Sequence, residues 1–232
     1  MSGIKWSRVN KPAQPPENVM IVASGPSVND IDMCLLKDFR NKFLITVNGA
    51  GKHVDFADAW FTLDPWGLNG PQLPADTFKG KLYAAVSDDY GTPSARCVQH
   101  RVTPKAKIIF LHRLQSHNYT NVSSETAYKL GLSEDSSCIN TGNSGYGALN
   151  LAYHMRPKNI YLLGIDGTIG YFYSKKERNR PLTYISTLFK SAVPQLDAAG
   201  IKVYNVSPRS TITCFEKLTA AQFHERLNNA EV

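Results

Sequence analysis

No apolar run in this chain approaches the roughly 18–20 residues needed to span a bilayer. The opening residues, Met1 to Arg8, lack the apolar core of a secretory signal peptide, so a cytoplasmic protein is expected. Cysteine is sparse. Cys34, Cys97, Cys138 and Cys214 lie far apart with no CxxC pair, as is usual for reduced, structural thiols. Histidine is equally scattered, with no HExxH-like spacing, which argues against a built-in zinc site. There is no internal repeat and no long run of one charge. The densest basic cluster, Lys175 to Arg180, reads either as a solvated loop or as a segment that touches substrate.

What is present is ordinary for one large α/β domain: 232 residues, 42% hydrophobic and 19% charged. The formal charge of +7 points to an anionic partner, and nucleic acid, an anionic glycan, a nucleotide and a membrane surface all fit. Residues 1–18 are polar and contain Pro12, Pro15 and Pro16, so they read as an N-terminal arm. Residues 19–232 read as a single domain with loop-rich insertions at 65–137 and 167–182, and an oligomer is compatible with either.

Continuous apolar runs predict buried parallel strands. They occur at 19–23, 42–48, 59–64, 81–86, 107–111, 159–166 and 201–206. Helical spacing is seen at 31–39, through Ile31, Cys34, Leu35 and Phe39, and again from Tyr146 to Met155, which Pro157 stops. Further helices are expected around 182–199 and 215–228. Strands alternating with helices predict a Rossmann-like α/β fold. Its sheet would be mainly parallel, with helices on both faces and a loop-rich lid.

In such folds ligands bind beyond the carboxyl ends of the strands, where the polar residues of this chain gather. The first strand runs into Ser24-Gly25-Pro26-Ser27, a small-residue turn opening a helix. That arrangement suits phosphate, although many βα turns look alike. Asn143, Ser144 and Gly145 open the apolar helix in the same manner. Asn48, Asp64, Asp166 and the segment Ser207-Pro208-Arg209-Ser210 each end a predicted strand.

Three blocks together resemble family 42 bacterial sialyltransferases: Val19 to Asp30, Ser144 to Asp166, and Val203 to Ser210. They also resemble the wider set of small Rossmann-like domains that includes archaeal 6-hydroxymethylpterin pyrophosphokinase-like proteins. The resemblance covers most of 19–220 and is loose over 65–137. It implies a cytidine-nucleotide sugar donor, with phosphate near Ser24, Gly25, Pro26 and Ser27 and with ribose or phosphate contacts from Asn48 and Ser144. Asp166 would organise the floor. Tyr171 and Tyr173 would stabilise the departing phosphate without a metal.

Two departures stand out. The sialyltransferases carry a general-base histidine after those tyrosines. This chain has none between Gly167 and Ala199, and offers Tyr184 and Glu177 there. His112 and His117 fall in the long polar loop. Asp64 replaces an asparagine, and with Asp166 it gives two carboxylates able to hold Mg²⁺ on a nucleoside triphosphate. The leading expectation is a nucleotide-sugar glycosyltransferase needing no cofactor, with an acceptor that is open to being polyanionic. The alternatives are a Mg²⁺- and ATP-dependent pyrophosphokinase-like transferase and a non-catalytic nucleotide- or nucleic-acid-binding module.

Overall fold

The first strand, β1 (Asn18–Val22), is buried at every position, and its side chains serve two cores. Val19 and Ile21 face one layer, Met20 and Val22 the other, which is why the run is continuously apolar rather than alternating. This computed structural model describes residues 5–9, 12–64, 74, 77–87, 107–114, 129–140, 142–168, 170–174, 182 and 184–229.

Among the described residues one nine-stranded sheet runs in the order β6-β5-β4-β3-β2-β1-β7-β8-β9, with every pairing parallel. The remaining strands are β2 (Lys42–Val47), β3 (Ala59–Thr62), β4 (Lys81–Val86), β5 (Ile108–Leu114), β6 (Cys138–Asn140), β7 (Asn159–Leu163), β8 (Lys202–Asn205) and β9 (Glu216–Lys217). The helices are α1 (Met33–Asp38), α2 (Ser144–Met155), α3 (Ile185–Lys190), α4 (Val193–Ala198) and α5 (Ala220–Asn229). Leu149, Leu151 and Ala152 of α2 pack with Leu188 of α3 and Leu196 of α4 on the layer containing Ile21, Ile45 and Phe61. Leu36 of α1 and Phe223 and Leu227 of α5 fill the opposite layer with Met20, Val22 and Leu44. The fold is a Rossmann-like α/β sheet with helices on both faces. After β6 the chain crosses back through α2 to place β7 beside β1, so the strand order reverses between those two strands.

Several elements differ from the sequence reading, each for a local reason. The helix expected over 31–39 is present but shorter, because α1 begins only after Asp32, whose carboxylate accepts from the N–H groups of Cys34 and Leu35, and the preceding Pro26–Asp30 forms a separate 3-10 turn. The helix expected around 182–199 is two short helices, because Pro194 has no N–H to continue the first. The helix expected around 215–228 starts at Ala220, after the polar strand β9. The region 65–137 carries strands β4 and β5, while its segments 65–73, 88–106 and 115–128 lie outside the described residues. At the other end, Trp6 bridges to Phe110 and the buried Val9 donates its N–H to Ser136 O, so these residues of the arm lie against the sheet. No helix among the described residues is long and apolar enough to cross a membrane.

Candidate functional site

A cavity of about 330 Å³ opens where the carboxyl ends of β1 and β7 part. Its walls come from the turn after β1 (Ser24, Gly25), the ends of β2 and β3 (Asn48, Asp64), the turn after β7 (Gly164 to Thr168), the N-terminus of α2, and the segments around Tyr171, Tyr173 and Tyr184. This is the switch point where ligands sit in open parallel sheets, and the volume lies within the usual range for a small-ligand pocket.

The floor is set by Asp166, 3% exposed, with its side chain turned into the β1 turn. Its Oδ1 accepts from Ser27 Oγ at 2.5 Å and its Oδ2 from Ser27 N–H at 2.9 Å. Gly25 N–H donates to Gly164 O at 2.7 Å. The two turns touch so closely that a Cβ on Gly25 would lie 2.5 Å from that oxygen and 2.6 Å from Asp166 Oδ2. The protein's own carboxylate and carbonyl thus take the Ser27 and Gly25 amides in which the sequence places a phosphate. Pro26 and Ser27 lie behind the cavity wall, whereas Ser24 and Gly25 line it.

Asn48 is held in the left-handed region at φ 52°, a conformation few non-glycine residues adopt. A closed ring of bonds fixes its amide. Asp64 N–H donates to Thr62 Oγ1 (2.9 Å), Thr62 Oγ1 donates to Asn48 Oδ1 (2.7 Å), and Asn48 Nδ2 donates to Asp64 Oδ2 (3.0 Å). Trp60 Nε1 also donates to the Asn48 carbonyl at 2.8 Å. The strand end therefore presents Asn48 and Asp64 to the cavity in one orientation.

Across from them, α2 points its N-terminus at the cavity. Asn143 caps the helix by accepting from Gly145 N–H at 2.8 Å, and Ser144 lines the opening beside it. Twelve residues of aligned peptide dipoles end here. Among the described lining residues there are two carboxylates and no lysine or arginine. An anion in the cavity would therefore rely on this helix end and on hydroxyl donors. The hydroxyls are those of Ser24, Ser144, Thr168, Tyr171, Tyr173 and Tyr184. Tyr184 donates to Gly142 O at 3.2 Å, which ties α3's approach to the α2 cap.

Tyr173 is positioned by contacts that sequence reading misses. Its hydroxyl donates to Ser24 Oγ at 3.4 Å, and it lies where a side chain on Gly49 would be. Its ring stacks on His53 with centroids 4.8 Å apart and planes 14° from parallel. His53 follows the 3-10 turn Asn48–Lys52, and neither its spacing nor its neighbours in the chain mark it. The small Gly49-Ala50-Gly51 run was the only available signal that something packs closely there.

Ser207 and Arg209 are not part of the cavity wall. Ser207 is fully buried, with no partner for its hydroxyl among the described residues, and Arg209 pairs on the surface with Asp30 at 3.0 Å. Their segment instead buttresses the end of β7 from behind, through Ser210 Oγ to Ile165 O and Thr211 N–H to Asp166 O. His154, buried in α2, has Nε2 3.0 Å from Cys138 O and 3.3 Å from Asn150 Nδ2. His112 stacks on Trp6 at 3.9 Å in β5. His117, Glu177 and the cluster 175–180 lie outside the described residues.

The two carboxylates that the sequence offers to magnesium are already hydrogen-bonded within the protein. Both oxygens of Asp166 are engaged by Ser27, and one of Asp64 by Asn48. Among the described residues no group of three or more histidine, cysteine or acidic side chains is arranged to hold a metal ion.

No protein-family model matches the chain, and no curated protein does. Two solved structures resemble it. One is the MAf glycosyltransferase from Magnetospirillum magneticum AMB-1, with a TM-score of 0.53 and 15% identity, matched over 99% of this chain and 39% of that protein. The other is the sialyltransferase CstII from Campylobacter jejuni in complex with a substrate analogue, CMP-3FNeuAc, with a TM-score of 0.43 and 14% identity over 87% of this chain and 86% of that one. The fold of this chain is similar to that of the matched part of the Magnetospirillum protein. The chain spans about two fifths of the length of the Magnetospirillum protein (39%), and at such identity the likeness is one of fold.

Proposed function

We propose that the cavity is the donor site of a nucleotide-dependent glycosyltransferase, with a CMP-sugar as the favoured donor. The observation that carries this reading is the meeting, at one switch point, of the α2 N-terminus with Tyr171 and Tyr173 around a pocket without described cationic lining. In glycosyl transfer the bond from the anomeric carbon to a phosphate oxygen breaks, and the phosphate keeps the electron pair. A new bond forms to the acceptor oxygen, whose proton leaves. The step gains rate from donors aimed at the oxygen on which charge develops. Here the first-turn N–H groups of α2 outside the Asn143–Gly145 cap and the two phenols are such donors, with Tyr173 turning its hydroxyl proton from Ser24 to the phosphate oxygen. The Asn48–Asp64 ring supplies acceptors on the opposite wall, suited to the hydroxyls of a ribose.

The choice of cytidine rests on the sequence resemblance in the three blocks 19–30, 144–166 and 203–210. The test is to incubate the protein with CMP-, UDP- and GDP-activated sugars in EDTA and to follow release of the nucleotide. Release of CMP alone supports the reading. Turnover of ATP only in the presence of magnesium would replace it with the pyrophosphokinase-like reaction, in which Asp166 would hold the metal through its remaining lone pairs.

A further inference from the structure

The segment 170–174 follows the turn after β7, yet its contacts lie across β1 and reach the turn that follows β2. Phe172 N–H donates to Ser24 O at 3.0 Å, at the end of β1. Tyr173 reaches further, with its hydroxyl over Gly49 after β2. His53 then meets this segment twice: face to face with Tyr173 at 4.8 Å, and edge-on with Phe172 at 5.6 Å and 75°. Tyr171 lies 5.7 Å from Tyr173 on the cavity side. The segment is thus a strap across the switch point. Its contacts include the long Tyr173 phenol hydrogen bond, the packing of Phe172 against the layer of Met20 and Val22, and an aromatic clamp that His53 supplies.

We propose that His53 is a positioning residue of the donor site, holding the Tyr173 phenol against the cavity wall by ring stacking. Among the described histidines it is the one in ring contact with a cavity-lining side chain: His154 is enclosed in α2, His112 stacks on Trp6, and His224 accepts from Asp32 N–H at 3.1 Å beside α1. His53 is itself exposed and does not line the cavity, so it acts through Tyr173 rather than on substrate. A flat ring is what the contact requires; a phenyl ring satisfies it and a methyl group does not. The inference rests on the reading of Tyr173 as a donor to the leaving phosphate, but the clamp can be tested without it.

Two measurements on the full chain keep the two apart. The first is amide hydrogen exchange of the 170–174 segment, in which Phe172 N–H reports whether the strap is seated. His53→Ala is expected to speed that exchange about tenfold or more, whereas His53→Phe is expected to stay near the wild-type rate. The second is turnover of the CMP-sugar. His53→Ala is expected to lower kcat about tenfold while KM changes less than threefold, and His53→Phe to recover most of it. In the background of Tyr173→Phe, His53→Ala is expected to have little further effect, because both act through one hydroxyl. Wild-type exchange in His53→Ala overturns the proposal, as does a loss in the double variant equal to the product of the two single losses. If the wild-type protein turns over no nucleotide sugar while the exchange responds as expected, the donor-site reading fails and the clamp stands.

Discussion

Ser27 gives both its hydroxyl and its backbone N–H to the carboxylate of Asp166, at 2.5 and 2.9 Å, across 139 positions of sequence. This pair joins the β1 turn to the end of β7, the two strands between which the sheet changes direction. The Ser27 amide of the β1 turn is thereby already taken by a side chain of the protein. The α2 N-terminus faces the cavity, as does the start of α3 through Tyr184 and Ile185.

Because Asp166 is buried, removing its carboxyl orphans both Ser27 donors, whereas removing the Ser27 hydroxyl leaves Oδ1 without that bond and keeps the backbone N–H bond to Oδ2. Ser27→Ala is expected to cost about 1–3 kcal/mol, and Asp166→Ala more, since two donors are then orphaned. Urea unfolding reads both. A loss below about 0.5 kcal/mol for Asp166→Ala, within the range of an ordinary surface change, would contradict this role.

Gly25 and Gly49 are expected to respond differently to the same methyl group. At Gly25 it meets a backbone carbonyl and the buried carboxylate, which have nowhere to go, so Gly25→Ala is expected to destabilise by more than about 2 kcal/mol. At Gly49 it meets the end of the Tyr173 side chain, which can swing away. Gly49→Ala should therefore keep its Tm within a few degrees of the wild type, while nucleotide affinity falls several-fold as the phenol is displaced. Equal effects of the two on stability would contradict the packing described.

Thr62→Val preserves shape but opens the ring around Asn48. Asp64 N–H loses its acceptor and Asn48 Oδ1 its donor, at an expected cost of about 1–3 kcal/mol. The amide of Asn48 would then be free to turn over, and Thr62→Ser should restore both bonds. Urea midpoints for the valine and serine variants check this directly.

Burial in α2 holds His154 below the usual imidazole pKa, and the nearby Arg156 works in the same direction; the bond to Cys138 O, Glu134 and Asp135 oppose them. The folded state binds this proton less readily than the unfolded chain. Its contribution is complete above the unfolded value of about 6.5 and is lost as pH falls from there through the lower folded value. His154→Gln is expected to flatten the stability profile below about pH 6.5, where wild type should decline by at most ~1.4 kcal/mol per pH unit from this one proton. Parallel profiles for the two proteins would contradict it.

Much of the fold was legible because a strand buried on both faces is a plain apolar run. Strands β1, β2, β4, β7 and β8 fall where such runs occur. Strands β6 and β9, three and two residues long, have too little pattern to be seen, and both residues of β9 are exposed. At the site, the residues at strand ends were visible as polar punctuation, but not which way each turns. Nothing in Ser24-Gly25-Pro26-Ser27 says that Asp166 will claim the Ser27 amide. Nothing in Ser207 to Ser210 says that this segment will brace β7 from behind. His53 was invisible because its role depends on a ring 120 positions away in the chain.

Calorimetric titration of CMP into the full chain in EDTA, beside a Ser144→Leu variant, tests the donor-site reading most directly. The side chain of Ser144 borders the cavity at the α2 N-terminus, where a leucine would obstruct the opening. Saturable binding of CMP to the wild type without metal, abolished in the variant, is the predicted result. Binding of ATP that appears only with magnesium, or CMP binding that Ser144→Leu leaves unchanged, would contradict it.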